Sequence, residues 1–319
     1  LLVILFVKSK ILKMKSKLLN FLVCPFCKSS LKIIIKSKFN EEIIEGELIC
    51  KCGRVFPITK GIPRMLDFDK KQNEKTKKSF TYEWNFYKFD KKQTGYNRKA
   101  FFENCGKKEN YFNNKLILDA GCGVGRTLDA IKHFKSEIVA MDLSNIIEKV
   151  PEFIGNPKNV YFIQGDIMYP PFKPKTFDFV YSFGVLHHTP NTKKAFKSIV
   201  SLVKNKGDII ISVYQKMNKY FAFISNNLRK IITKLPHNIL YYLCYILVYF
   251  VPLGYKLIGY KRSSLRPLTK KETFWLVFDW FSPQYQWHHS QEELIKWFKE
   301  NNFYNPKISN KSFFYSTKK

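Results

Sequence analysis

From Leu116 onward the chain alternates between short apolar runs and amphipathic stretches. "KLILDAG", "EIVAMDLS", "NVYFIQGD", "FDFVYSFGVL" and "GDIIISVY" are five apolar runs of strand length, with helical spacing in "GRTLDAIKHF" and "KKAFKSIVSLVK" between them. Strands that read as near-continuous apolar runs are buried on both faces, which predicts a parallel sheet with helices on either side. Toward the C-terminus "SQEELIKWFKENN" has the spacing of an amphipathic helix. Ser290 stands as its N-cap and Glu293 three residues on, the pattern of a capping box. Two short strand-like pieces follow, around "YNPKIS" and "SFFYST". The expectation is an α/β fold with a mostly parallel seven-stranded sheet.

The N-terminal third differs. Residues 18–66 form a cysteine-bearing unit. Residues 67–114 hold a lysine-rich polar stretch, "DFDKKQNEKTKKS", which reads as a linker, and an aromatic segment, "FTYEWNFYKF". The main domain occupies 115–319, with an apolar helical insertion at about 216–262 after the fifth strand. Between Asn238 and Tyr255 no charged residue occurs. That length is marginal for a membrane span. A single crossing would also put the fifth strand and the last two on opposite sides of a bilayer, although the fold places them in one sheet. The run is therefore expected to be a lid helix or a helix lying in a membrane interface.

The composition, with 45% hydrophobic and 17% aromatic residues, supports a sizeable core in a chain of 319 residues. Lys and Arg outnumber Asp and Glu by 55 to 25, for a net charge of +30. Such an excess fits an anionic partner, either nucleic acid or an acidic membrane surface; compositional drift toward lysine is the plainer account. Seven cysteines occur and four of them fall between Cys24 and Cys52. The opening "LLVILFVKSKILK" has no basic stretch before its apolar run and no small-residue cleavage site, and the first Met is Met14. A reducing cytoplasm is expected, with metal rather than disulfides at the clustered thiols, and peripheral membrane association if the interface reading holds.

"CPFC" supplies Cys24 and Cys27, and "CKC" supplies Cys50 and Cys52. Four thiolates at these spacings suit a tetrahedral zinc. With no position left for water, its role would be structural. The following "GRVFPITKGIPRML" resembles the small zinc-binding module related to Trm112. Cys105, Cys122 and Cys244 stand alone and read as packing residues.

In "LILDAGCGVGR" three glycines crowd into five residues after a strand that carries an aspartate. Glycine there permits a tight turn and close approach of backbone amides to a ligand. The spacing is G-x-G-x-G rather than the G-x-G-x-x-G of dinucleotide binders, which counts against a nucleotide-dependent oxidoreductase. "LDAGCGVG" resembles the first motif of class I methyltransferases (type 11-like) that use S-adenosylmethionine. Further pieces agree in order: Asp142 in "VAMDLS", Asp166 in "IQGDI", and "FDFVYSFGVLHH". The resemblance covers about residues 115–215. It implies a Rossmann-like fold and a cofactor site of Asp119, Gly121, Cys122, Gly123, Gly125, Asp142, Leu143, Asp166, Ile167 and Phe183. In it Asp142 would hold the ribose hydroxyls and Asp166 and Ile167 would flank the adenine. A Phe-x-x-x-Trp segment in related bacterial enzymes folds over the cofactor, so the resemblance also offers Tyr82 and Trp84. His187 and His188 are the visible candidates for a general base. In this family such a pair more often orients the loop. Asp279, Tyr285, His288 and His289, in "VFDWFSPQYQWHHS", are expected near the pocket mouth.

The function expected is methyl transfer to a small-molecule, lipid-linked or glycan-precursor acceptor. RNA methylation, using the basic surface and the zinc module, is the alternative. A cofactor-binding partner without activity of its own is a third reading, disfavoured because both parts share one chain.

Overall fold

Residues 14–67, 74–86, 98–250, 269–309 and 312–319 are described here, in a computed structural model. The five apolar runs form β5 (Leu116–Ala120), β6 (Glu137–Asp142), β7 (Val160–Gly165), β8 (Phe177–Phe183) and β9 (Val203–Ser212), all parallel. The two C-terminal pieces form β10 (Phe303–Ser309) and β11 (Phe313–Lys318), with β11 antiparallel to β9 and to β10. Ile117, Leu118, Ile138, Val139, Ile163, Phe179 and Val180 are fully buried. Each such side chain stabilises the sheet by about 1.5–3 kcal/mol.

The seven strands run in the order β7-β6-β5-β8-β9-β11-β10, but the sheet does not end at β7. The cysteine unit contributes β1 (Leu31–Phe39), β2 (Glu42–Cys50), β3 (Val55–Thr59) and β4 (Ile62–Met65), and β4 pairs in parallel with β7. Among the described residues the result is one eleven-stranded sheet. Leu22 bridges Phe172, and the Val23 amide donates to the Pro171 carbonyl at 3.0 Å. Leu22, Phe56 and Met65 share a core with Val139, Ile163 and Phe172.

The stretch read as a linker is helical from Glu74: α1 spans Glu74–Phe86. Lys78 is exposed and Lys75 and Lys77 are half-buried, while Thr76, Ser79 and Glu83 are buried. The inner face of α1 is polar, so an apolar period does not reveal it. Next come α2 (Arg98–Cys105), α3 (Arg126–Ile131), α4 (Val150–Ile154) and α5 (Thr192–Val200). Inside the insertion lie α6 (Lys219–Ile232) and α7 (His237–Leu247), followed by α8 (Lys270–Phe281) and α9 (Gln291–Glu300). Ser290 caps α9 by accepting from the Glu293 amide at 3.2 Å; the Glu293 carboxylate sits 3.1 Å from His289 Nδ1. Leu240, Cys244 and Val248 pack on Phe274, Val277 and Phe278 of α8. No described helix is long and apolar enough to cross a membrane. The end of the charge-free run, 251–255, and Lys256, Lys261 and Arg262 lie outside the described residues.

Candidate functional site

The chain leaves β5 for β6 and β7 on one side, then returns to place β8 on the other. A sheet that reverses direction in this way opens a crevice at the carboxyl ends of the two strands flanking the switch. The glycine loop after β5 and the turn after β8 meet there. Gly121, Gly123 and Gly125 have φ of +96°, +52° and +82°. A Cβ on Gly121 would stand 2.4 Å from a Val185 methyl, and one on Gly125 would stand 2.8 Å from a Val150 methyl. Those two glycines are demanded by the protein's own packing. Gly123 differs: its open side faces the Trp84 ring, at 3.4 Å from an added Cβ.

Asp142, at the end of β6, organises the loop. One carboxylate oxygen accepts from the Gly123 amide at 2.8 Å, and the other from the Ser144 amide at 2.8 Å and the Ser144 hydroxyl at 2.6 Å. Burial raises its pKa and these three donors oppose the rise. Asp119 is sealed inside, accepting from the Tyr181 hydroxyl at 2.7 Å. Burial pushes its carboxyl well above the usual range, against the Tyr181 bond. Its place is behind the loop, as a brace between β5 and β8. Asp166 turns the chain after β7 by accepting from the Met168 amide at 2.8 Å, with Ile167 buried beside it and Leu143 half-buried after β6. Cys122 is buried within the loop.

The aromatic segment divides. Trp84 reaches the loop, with the Arg126 guanidinium 5.3 Å from its ring centre. Tyr82 faces the other way, stacked on His237 and Phe278 with centroids at 5.4 and 5.7 Å. Phe183 lies among Tyr181, Phe101 and Phe313.

His187 and His188 are both buried in a tight turn after β8. His187 stacks on Tyr214 at 3.9 Å, and among the described residues neither of its ring nitrogens has a hydrogen-bond partner. Burial holds its pKa well below the usual histidine value, with His188, His288 and His289 adding to the depression. His188 Nδ1 lies 2.9 Å from the Tyr285 carbonyl, which can only accept, so Nδ1 carries the proton and Nε2 is the basic nitrogen. Burial lowers the His188 pKa, with Asp279 and the Tyr285 carbonyl opposing. Nε2 is 4.0 Å from Asp279 Oδ1, and the Tyr214 hydroxyl donates to Asp279 Oδ2 at 3.0 Å.

Glu83 and Tyr214 were not foreseen. Glu83, on α1 beside Trp84, is 4% exposed, and its Oε2 has no hydrogen-bond partner among the described residues. Burial and then Asp279 raise its pKa well above the carboxylate range, with Arg126 opposing. The only signal in the sequence is an acid standing inside an aromatic run. Glu83 and His188, both buried, thus meet half-buried Asp279 and Tyr214 in one cluster beside the glycine loop. His288 Nδ1 donates to the Gln215 carbonyl, 3.1 Å away, and its ring stacks on Tyr214.

The cysteine cluster is separate. Among the described residues the sulfurs of Cys24, Cys27, Cys50 and Cys52 all lie within 4.8 Å of one another. Cys24 and Cys52 are 3.9 Å apart, and Cys27 and Cys50 are 3.3 Å apart. Zinc–sulfur bonds of about 2.3 Å in a tetrahedron separate sulfurs by about 3.8 Å, so the set fits zinc. Hydrogen bonds from Ser29 pull the Cys27 thiol down to about 6, and burial pushes Cys50 up to about 12. Arg54 adds a positive group 3.6 Å from the Cys52 sulfur. Cys105, Cys122 and Cys244 are buried apart from the cluster.

Residues 118–211 match the family model described as a methyltransferase domain, and residues 15–61 match that of the Trm112p-like proteins. Over 109 residues the chain is 36% identical to an uncharacterized protein of Methanocaldococcus jannaschii, covering 33% of this chain and 44% of that protein. It is 26% identical to a sterol 24-C-methyltransferase of Schizosaccharomyces pombe, covering 38% and 34% of the two chains. It is 25% identical to a tRNA U34 carboxymethyltransferase of Aliarcobacter butzleri, covering 44% of each. The chain thus spans less than half the length of these relatives. Among solved structures, it aligns with the magnesium protoporphyrin IX methyltransferase of Synechocystis with bound SAH. That alignment has a TM-score of 0.44 and 14% identity over 77% of this chain and 96% of that one.

Proposed function

We propose that this chain, in which a Trm112p-like module is joined to a methyltransferase domain, transfers the methyl of S-adenosylmethionine to a small-molecule or lipid-linked acceptor. The observation that carries the reading is the Asp142–Gly123 contact. It draws a carboxylate and an open-faced glycine together at the sheet's switch point. Asp142 would take a ribose hydroxyl on the oxygen that Gly123 leaves half-occupied, and Trp84 would cover the loop. S-adenosylmethionine supplies an electrophilic methyl on a sulfonium, so the protein's part is alignment and exclusion of water. If the acceptor is a hydroxyl, its proton has two places to go, Asp279 Oδ1 and His188 Nε2. The zinc module would be structural.

S-adenosylhomocysteine is expected to raise the melting temperature by mass action, about 2.7 kcal/mol at a hundredfold excess over its Kd. Asp142→Ala should weaken that binding by about tenfold or more, since hydrogen bonds to a charged group are worth about 1.5–3 kcal/mol. A wild-type protein that melts unchanged at millimolar ligand overturns the reading.

RNA methylation is the second reading, favoured by the +30 charge and by the tRNA-directed relative. Incubation with radiolabelled methyl donor and, separately, total RNA and a lipid extract separates the two. Label in RNA alone reverses the ranking.

A further inference from the structure

Helix α6 is built inside out. Tyr220, Phe223, Ile224, Leu228 and Ile231 recur at helical spacing on one face, and all are 46–83% exposed. Its buried face is polar. Ser225 accepts from the Trp280 indole at 2.9 Å, and Arg229 donates to the carbonyls of Trp280 and Pro283. Those bonds fix the orientation, so the apolar stripe cannot roll inward without breaking them. Helix α7 exposes a second apolar set: Leu240, Cys244 and, just past its end, Val248 are buried on α8, while Ile239, Tyr242, Tyr245, Ile246 and the following Tyr249 are 50–70% exposed. Single exposed apolar residues are ordinary, but a stripe of five along one helix face, followed by a second set on the next helix, marks a site that something covers.

Charge says what covers it. From Ile209 through Lys271 there is not one Asp or Glu, against eleven Lys and Arg. Lys219, Lys230 and Lys234 are exposed on or next to α6. We propose that the outer face of α6 and α7 docks on an anionic lipid bilayer. The Ile, Leu and Phe side chains enter the headgroup boundary, the tyrosines sit at its level, and the lysines meet lipid phosphates. A second copy would bring the same cations face to face with no carboxylate to pair them. An RNA chain would satisfy the lysines and leave the aliphatic side chains without an apolar phase. With no described helix long enough to span, the contact is peripheral. Tyr82 of α1 stacks on His237 of α7 and Phe278 of α8, so the insertion adjoins the helix that carries Trp84 to the glycine loop. The inference goes beyond the methyl-transfer reading and stands without it.

The test is flotation of the full chain with vesicles of phosphatidylcholine, with and without phosphatidylglycerol. Binding should be at least about tenfold stronger to the anionic vesicles and should fall with added salt. Phe223→Ser with Ile231→Ser should weaken it by about tenfold or more. Both side chains are 70% exposed, so the melting temperature should hold. Lys230→Ala and Lys234→Ala should each cost about fivefold. The proposal is overturned if the wild type stays at the bottom of the gradient with anionic vesicles. It also fails if the double serine variant floats as well as wild type, or if the variant's only loss is in self-association or in RNA retained on a filter. None of these readouts depends on S-adenosylhomocysteine, so failure here and failure of the methyl-transfer reading are distinguishable.

Discussion

At one edge of the sheet the cysteine module is joined by backbone pairing and a shared apolar core. Arg64 ties the joint with bonds to Gln164 at 3.2 Å and Glu148 at 2.9 Å. On the other side, α6 is joined through Arg229, Ser225 and a nest of histidines around Tyr214 and Asp279. The first joint hides apolar surface and adds ion pairs at its rim, Lys17–Glu137, Lys60–Glu148 and Arg64–Glu148. The second hides polar groups and turns its apolar surface outward. The module therefore should behave as part of the folding core, and the insertion as an addition whose attachment depends on protonation state.

The largest expected effect follows from removing the metal. Cys50 is 2% exposed and sits at the end of β2, so Cys50→Ser should abolish zinc retention. Structural zinc contributes on the order of 10 kcal/mol to small modules of this kind. Because β4 continues into the sheet, the loss should not stay local. The variant should lose its metal by elemental analysis, melt far below wild type and aggregate through the uncovered edge of β7. A variant that lacks zinc yet melts normally would show that the module folds on apolar packing alone.

An intermediate effect is expected at the other joint. Arg229 is 8% exposed, and burial brings its pKa down to about 10 against the pull of Tyr214 and Asp279. Arg229→Met leaves the buried Pro283 carbonyl and the half-buried Trp280 carbonyl without their guanidinium donor, a cost of about 1–3 kcal/mol. The loss should be confined to the insertion: protease should cut between α6 and α7 while the shift with S-adenosylhomocysteine persists. If ligand binding collapses in the same variant, the two regions are not separable and the contrast fails.

The two joints were unequally legible in the sequence. The strands of the parallel sheet showed because a strand buried on both faces is a continuous apolar run, and the cysteines showed because metal geometry fixes their spacing. "IPRM" is too short to display a period and its partner lies about a hundred residues on, so the pairing of β4 with β7 was hidden. Periodicity likewise shows which residues of α6 share a face. Which way that face points is set by Arg229 and Ser225, through partners some fifty residues away. The Glu83–Asp279–Tyr214–His188 group was missed for the same reason: its members come from four separate elements and meet only in the fold.

The smallest effect tests the histidines. Burial lowers the pKa of His187, His188 and His288 in the folded chain. The unfolded chain then binds more protons than the native one in the window below about 6.5. Stability is therefore full above that value and lost as the pH falls through it, by up to about 1.4 kcal/mol per pH unit for each such group. The loss should appear first as loosening of α6, whose joint adjoins these rings. His187 offers the cleanest probe, because its ring stacks on Tyr214 and neither nitrogen has a partner among the described residues. His187→Phe keeps a flat ring and removes the titration. It should melt close to wild type at pH 8, and below pH 6 its stability should fall less steeply, by about one group's share. Methyl transfer should persist. Loss of activity by two orders of magnitude in a normally melting protein would instead make His187 a catalytic residue and move the proton acceptor away from Asp279 and His188.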